Sequence, residues 1–516
     1  MHHPKTWLAA AGAALVLPLL LAGGLRADVL QLKDGRIIEG KPLERVQGGV
    51  RIKFENGEVV VPDELINDVI IFNPDGTFQP RNAEEAEKLE KGFMPYQGKW
   101  IPKARYEHLR KKEIEEYRAR AEEARNHKEW RFRYQQQTRN FAFEYTIPKE
   151  TGQEFMDLFE TYFATFTKEW GVQRGRLGKL KVCFYHNRDY FHQVSGAPGG
   201  VLGYFRFVDP IELNVYNIRN DKEMTLGVIF HEVNHYLLHL IDPKFSHPPW
   251  VGEGLAEYYG CSKWDPEKKK LTTGHLQEGR LVSLQDDIDQ GEWFGIEEMI
   301  NTEQAILKHY TWGWAFCHFL LETPRYAKPF KKFVRDLAAS RAIKKKPLRP
   351  GIQTVDPKQQ IDALKKYLGV KDIKDLEQEW HGYIKNNLKS KTARGYMEAA
   401  RIAERNNLPL TAEEYYQKAI AAGCKMHRCF YDYGHSLWER DKYQEAIEQF
   451  KKALEIDPLD AYSYLYIGRA YADMGGKDNK EKAKRYYDLA REIDPYDDNL
   501  EDLLLYESKK TQREFR

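Results

Sequence analysis

His231-Glu232-Val233-Asn234-His235 and, after a short gap, Pro249-Trp250-Val251-Gly252-Glu253-Gly254-Leu255-Ala256-Glu257-Tyr258-Tyr259 decide how this chain is read. The first stretch lies in a helical segment expected to run to about Ile241, with Asn220 as N-cap and Glu223 as capping partner. Histidines at i and i+4 sit one turn apart on the same helix face, close enough to share a metal ion. Glu232, between them in sequence, is placed to take a proton rather than to bind the ion. Glu253 follows His235 by 18 positions. A helix, a loop and a second helix return its carboxylate to the two imidazoles. Three protein donors leave a fourth position for water, the arrangement of a catalytic zinc. His239 continues the i+4 series, but two turns from His231 is roughly 12 Å of helix rise, too far for one ion. A three-histidine pattern would need glycine at 238 and histidine at 241, where the chain has Leu238 and Ile241.

Taken together, HEVNH and WVGEGLAEYY resemble the gluzincin clan of zinc metallopeptidases, in particular its peptidase-MA-like bacterial domains. The resemblance spans about 141–388. It implies an α+β catalytic domain that hydrolyses peptide bonds, with Zn2+ as cofactor and a peptide or protein as substrate. It makes His231, His235 and Glu253 the metal ligands and Glu232 the catalytic base. It also gives Glu257 the role of orienting a ligand histidine. Tyr310, in Tyr310-Thr311-Trp312-Gly313-Trp314, becomes the candidate for oxyanion stabilisation, with Tyr258 and Tyr259 competing for that role. Ile211-Glu212-Leu213-Asn214-Val215-Tyr216 becomes the edge strand along which a substrate lies.

Upstream, the expected organisation has three parts. Residues 1–27 have the layout of a secretory signal: His2, His3 and Lys5, an apolar run from Trp7 to Leu21, then small residues with cleavage expected after Ala27. This predicts export, periplasmic or secreted, with no membrane span after cleavage. An uncleaved anchor is the rival reading. Residues 28–75 read as a small barrel-like β module, because short alternating runs are split by the hairpin signals Asp34-Gly35 and Asn56-Gly57. Residues 82–131 read as a charged helical connector. Gly92-Phe93-Met94-Pro95-Tyr96 interrupts it as a local turn expected to pack on the next helix.

Downstream, residues 393–498 read as an α-solenoid of about three 34-residue units. With His427 as position one, Gly434, Leu437, Ala446, Phe450, Ala453 and Pro458 fall at tetratricopeptide positions. The next unit starts at Ala461. Its later residues Ala483, Tyr487 and Ala490 come three places late, attributed to a longer inter-helix turn at 475–480. The unit before starts at Ala393, with Cys424 in place of the proline. Repeat units contact mainly their neighbours, so the array is expected to fold as its own block and to recruit a protein partner. A binding scaffold whose zinc domain has little turnover is therefore the alternative function.

The bulk numbers exclude some classes. A formal net charge of +2 over 516 residues gives no global field for nucleic acid. The glycine-rich loop at 195–200 lacks the lysine of a phosphate-binding loop. Cys183, Cys261, Cys317, Cys424 and Cys429 form no disulfide or metal-pair spacing and read as small buried hydrophobes.

Overall fold

A computed structural model of the protein describes residues 28–507 apart from 34–35, 72–78, 81, 97–98, 173–177, 219–221, 390, 496, 498–499, 502 and 506. The expected signal segment, Asp34-Gly35 turn and Asn220 cap fall outside the described residues. The chain divides into two compact units, Met1–Lys111 and Lys112–Arg516. No helix among the described residues is long and apolar enough to cross a membrane.

The first unit opens with β1 (Val29–Leu32), β2 (Ile37–Glu39), β3 (Leu43–Val46), β4 (Gly49–Lys53), β5 (Glu58–Pro62) and β6 (Ile66–Ile70). They form two antiparallel sheets, β2-β1-β6 and β3-β4-β5, rather than one continuous barrel-like ladder. The 3-10 turn Asp63–Leu65 carries the chain from the second sheet back to the first, so the two ladders stay separate. Alternation works as the sequence implies, with Val50 and Ile52 of β4 fully buried. The connector is helix α1 (Ala83–Glu90), hairpin β7 (Phe93–Tyr96) and β8 (Lys99–Pro102), then helix α2 (Lys103–Asn126), in which the unit boundary falls. Met94 of the hairpin packs with Tyr106 of α2 and with Val29 and Ile70 of the β module.

In the second unit β9 (Tyr134–Gln137), β10 (Phe141–Tyr145), helix α3 (Lys149–Trp170), β11 (Leu180–Tyr185), helix α4 (Arg188–Ser195), β12 (Gly203–Arg206) and β13 (Glu212–Tyr216) build a five-stranded sheet. Its order is β12-β13-β11-β10-β9. The inner strands β10, β11 and β13 are parallel, and the antiparallel β9 and β12 close the edges. β13 is buried at every position, as an inner strand must be. The edge strand is therefore β12, not the 211–216 segment expected from sequence. β12 escaped notice because Gly203-Tyr204-Phe205-Arg206 has neither β-branched residues nor alternation.

Helices α5 (Lys222–His239) and α6 (Pro249–Gly260) follow, then hairpin β14 (Lys263–Asp265) and β15 (Lys270–Thr272), α7 (Glu278–Asp289) and α8 (Ile296–Asn301). A π-helical turn, His309–Gly313, leads into α9 (Trp314–Glu322) and α10 (Pro324–Ala338). Hairpin β16 (Lys345–Arg349) and β17 (Ile352–Val355) and helices α11 (Pro357–Leu368) and α12 (Ile373–Asn387) complete this part. One contiguous aromatic-rich core, from Phe141 to Leu388, joins sheet and helices. All five cysteines are free; Cys261 is half-buried and the other four are buried.

The C-terminal part is three helix pairs: α13 (Ala393–Arg405) with α14 (Pro409–Ala421), α15 (His427–Trp438) with α16 (Tyr443–Ile456), and α17 (Ala461–Met474) with α18 (Lys477–Ile493). The first helices begin at Ala393, His427 and Ala461, the positions the 34-residue register marks. α18 starts 34 residues after α16 and ends 37 after it. The three extra residues thus lengthen the helix, not the turn before it. The array is not a free-standing block. A Cβ on Gly395 of α13 would lie 3.1 Å from the Val282 side chain of α7, and one on Gly279 would lie 2.9 Å from Glu398 Cβ. Thr392 caps α13 and donates to Glu278 Oε2 at 2.5 Å. Glu223, the expected capping partner of α5, instead pairs with Arg394.

Candidate metal centre

α5 and α6 cross where two glycines meet: a Cβ on Gly227 would be 3.3 Å from the Gly260 carbonyl oxygen. Pro249 opens α6, a position where its missing N–H costs nothing. Trp250 anchors the helix, fully buried and donating from Nε1 to Gln360 Oε1 at 3.0 Å. Gly254 lets α6 touch the backbone of the π-helical turn; a Cβ there would be 2.6 Å from the Gly313 oxygen. These approaches bring Glu253 over the α5 histidines.

His231 Nε2 and His235 Nε2 are 3.3 Å apart. Glu253 Oε2 is 3.5 Å from the first and 3.7 Å from the second. Among the described residues, these form the group of three donors able to hold a metal ion. A tetrahedral site with bonds of about 2.1 Å has edges of roughly 3.4 Å, so the spacing fits the two-histidine, one-carboxylate set of a catalytic zinc. Glu253 Oε2 is also buried without a hydrogen-bond partner. Such an atom is costly unless a cation meets it.

The charges point the same way. Burial pushes His235 down to about 4, into the neutral form that ligation needs. Burial acts on His231 too, but the Glu253 carboxylate 3.5 Å away and the charges of Glu232 and Glu257 hold it up at about 9. Against its own burial, Glu253 is held near 2 by His235 and His231. Three carboxylates around two imidazoles thus pull in positive charge.

Glu232 stands beside the donors without joining them. Its Oε2 accepts from the Phe205 N–H of edge strand β12 at 3.0 Å. Burial raises its carboxyl to about 7, the range of a working general base. Glu257 Oε1 lies 3.7 Å from His231 Nδ1, on the far side of the ring from the other donors. It is fixed there by Arg280, whose Nη2 donates at 2.8 Å, and by Gln277 at 3.3 Å.

Of the three candidate tyrosines, the structure brings Tyr310 to the site. Its ring lies parallel to His231, centroids 6.2 Å apart, and burial together with the Glu253 carboxylate raises its hydroxyl. Tyr258 donates to Glu322 at 2.5 Å, and Tyr259 is held between Trp170 and Glu169. Those two are occupied elsewhere. His239 packs its ring on Phe205 rather than joining the donors. Sequence reasoning missed Phe205, Gln277 and Arg280. Arg280 also lies over the Tyr310 ring, 5.1 Å from its centroid, and so touches both supports of the donor cluster. No local spacing marks these residues, because each reaches the site through tertiary packing.

Residues 434–475 match the TPR repeat family. No curated protein matches the chain. Among solved structures, the chain is similar to MamA at 16% identity and a TM-score of 0.21, covering 43% of this chain and 94% of that one. It is also similar to YrrB, described as a TPR protein with an unusual peptide-binding site, at 16% identity and a TM-score of 0.23. That match covers 45% of this chain and 91% of the other. At such scores neither likeness bears on how the whole chain is arranged. The family match and the helix register agree on one point: the C-terminal region of this mixed α/β chain carries tetratricopeptide repeats.

Proposed function

We propose that the chain is an exported zinc-dependent peptidase of gluzincin type whose repeats recruit a protein substrate or partner. The observation carrying this reading is the convergence of His231 Nε2, His235 Nε2 and Glu253 Oε2 within 3.3–3.7 Å, with the Glu232 carboxylate alongside but not among them. The three donors would hold a Zn2+ ion, which would supply the Lewis acidity to acidify water and polarise a peptide carbonyl. Glu232, steadied by the Phe205 N–H, takes the proton of the attacking water and passes it to the leaving amine. Tyr310, beside Glu253, is placed to donate its hydroxyl to the carbonyl oxygen as negative charge develops there. Glu257, gripped by Arg280, keeps the His231 ring in the orientation that presents Nε2. The open edge of β12 offers backbone groups along which an extended peptide can pair.

The second reading is a protein-binding scaffold whose zinc domain has little or no turnover. It is favoured by the family match, which falls on the repeats and not on the metal centre. The two separate in one experiment: metal content, and hydrolysis of a generic unfolded protein, for the native chain and Glu232→Gln. The peptidase reading expects zinc in both and turnover at least about 10²–10⁴-fold lower in the variant. Zinc without turnover in the native chain selects the scaffold. Equal turnover in a folded, zinc-loaded variant removes Glu232 from the mechanism.

A further inference from the structure

The seam between α7 and the first repeat gathers arginines. Arg280 of α7 is paired with Glu257. Arg401 of α13 and Arg428 of α15 share a single carboxylate, Asp432, at 3.5 and 2.8 Å. Arg405, the last residue of α13, and Arg188, the first of α4, are exposed and have no hydrogen-bond or ion-pair partner among the described residues. The other three guanidinium groups are thus paired, and Arg188 and Arg405 are not. Glu404, next to Arg405, does little to offset them. It bonds to Tyr416, and burial raises its carboxyl to about 7.

These arginines converge on one place. Arg188, Arg405, Arg401 and Arg428 all act on the hydroxyl of Tyr216, at the end of β13, lowering it against the burial that raises it. The glycine-rich loop after α4 closes one side: a Cβ on Gly200 would lie 3.8 Å from the Arg405 carbonyl oxygen. Arg405 keeps its solvent exposure, yet desolvation by surrounding protein, then Arg280 and Arg401, lower its guanidinium to about 10. The end of α13 and the loop after α4 thus stand against each other as two walls of a cleft, with the exposed Arg405 and Arg188 at its mouth. Like charges without counter-ions are costly to hold together, and an anionic ligand relieves that cost.

We propose that this cleft, walled by the catalytic sheet on one side and the first repeat on the other, binds an acidic segment of a polypeptide, with Arg188 and Arg405 each receiving a carboxylate. The planar guanidinium fork matches a carboxylate with two parallel hydrogen bonds. The cleft adjoins the metal centre through Arg280 and Glu257, so an acidic segment held there leaves the flanking chain within reach of β12. Calling this segment substrate rests on the peptidase reading. The binding itself does not.

The test uses the full-length, zinc-loaded Glu232→Gln chain and fluorescence anisotropy of a labelled Glu-Gly repeat peptide, with its Gln-Gly and Lys-Gly counterparts. We expect the Glu peptide to bind at least about tenfold tighter than the Gln peptide, the worth of one charge-assisted hydrogen bond. Arg188→Ala with Arg405→Ala should remove that margin, and Arg188→Lys with Arg405→Lys should restore part of it. Both side chains are exposed, so an unchanged circular dichroism spectrum is expected of the double variant. Equal affinity for Glu and Gln peptides in the native-arginine chain overturns the inference, as does a margin that survives the double alanine variant. Inorganic phosphate or a single-stranded oligonucleotide that binds more tightly than the Glu peptide also overturns it. Turnover is not read at any point. Arginine-dependent acidic binding in a chain that never hydrolyses peptides would keep this inference and reject the peptidase.

Discussion

The α5–α6 pair and the repeat pairs solve the same problem, bringing two helices close, with the same residue used differently. In the repeats glycine makes room for an aromatic ring: a Cβ on Gly434 would lie 2.9 Å from the Phe450 ring, and one on Gly468 would lie 2.6 Å from the Tyr487 ring. The device recurs 34 residues apart. Around the candidate metal centre glycine lets backbone meet backbone, Gly227 of α5 against Gly260 of α6 and Gly254 of α6 against Gly313 of the π-helical turn, once each. A ring can tilt and a neighbouring unit can compensate. A carbonyl fixed in its own helix cannot. The repeats are therefore built from interchangeable contacts, and the metal centre from contacts made once.

The sharpest break in this comparison is at α13, which belongs to both regions. It continues the 34-residue register, yet Gly395 and Glu398 seat it on α7. α7 carries Arg280, the clamp on Glu257. Deleting 393–516 uncovers Val282, a fully buried side chain worth about 1.5–3 kcal/mol, together with the face around it. We expect that truncation to lose zinc and short-peptide cleavage along with cooperative unfolding. Deleting 409–516, which keeps α13, should preserve all three. Zinc content and thermal unfolding of the two truncations decide the matter. A folded, zinc-loaded chain ending at 392 would show that the array is separable after all.

Within the metal centre, contacts made once should fail in a graded way. Glu253→Ala removes a donor, and we expect zinc to be lost on dialysis against a mild chelator. Glu257→Ala removes only the partner of His231 Nδ1, a loss expected to weaken zinc about 10–100-fold. Arg280→Ala should match Glu257→Ala, because the two act as one pair. If Glu257→Ala strips zinc and Glu253→Ala keeps it, the donor assignment is wrong.

The same contrast explains what could be read from the chain. Two histidines one turn apart and a glutamate in a second helix form a local pattern, so His231, His235 and Glu253 were legible by spacing. The register of the repeats was legible because it recurs, and the starts of α13, α15 and α17 fall on it. Choosing Tyr310 over Tyr258 and Tyr259 was not possible from spacing. The choice depends on Glu322 and Glu169 occupying the other two hydroxyls. β12 hid because an edge strand of Gly-Tyr-Phe-Arg has no period-2 signal, and the alternating Ile-Glu-Leu-Asn-Val-Tyr segment beside it, which has one, is the inner strand. The two separate sheets of the N-terminal module were hidden by how well their hairpins imitate those of a closed barrel. The seat of α13 on α7 rests on Gly279 and Gly395, residues that look like any helix glycine until the partner helix is in place.

The smallest effect is expected where the contact is interchangeable. Gly434→Ala adds one methyl group against the Phe450 ring, which is itself stacked on Tyr466 with centroids 5.6 Å apart. Overpacking of this kind costs about 1–3 kcal/mol. Alanine returns about 1 kcal/mol through its better helix propensity. The net loss should be about 1 kcal/mol, read as a small shift in the denaturant midpoint with an unchanged slope. The shift is kept small because Phe450, though fully buried, packs between two repeat units and can tilt as the second and third pairs adjust. Zinc affinity and short-peptide cleavage should not move, since Gly434 lies on α15, away from the seat of α13 on α7. A Gly434→Ala chain that loses zinc would mean the repeats transmit strain through α13 to Arg280 and Glu257. The two regions would then be one mechanical unit, and the contrast between interchangeable and single contacts would fail at its weakest point.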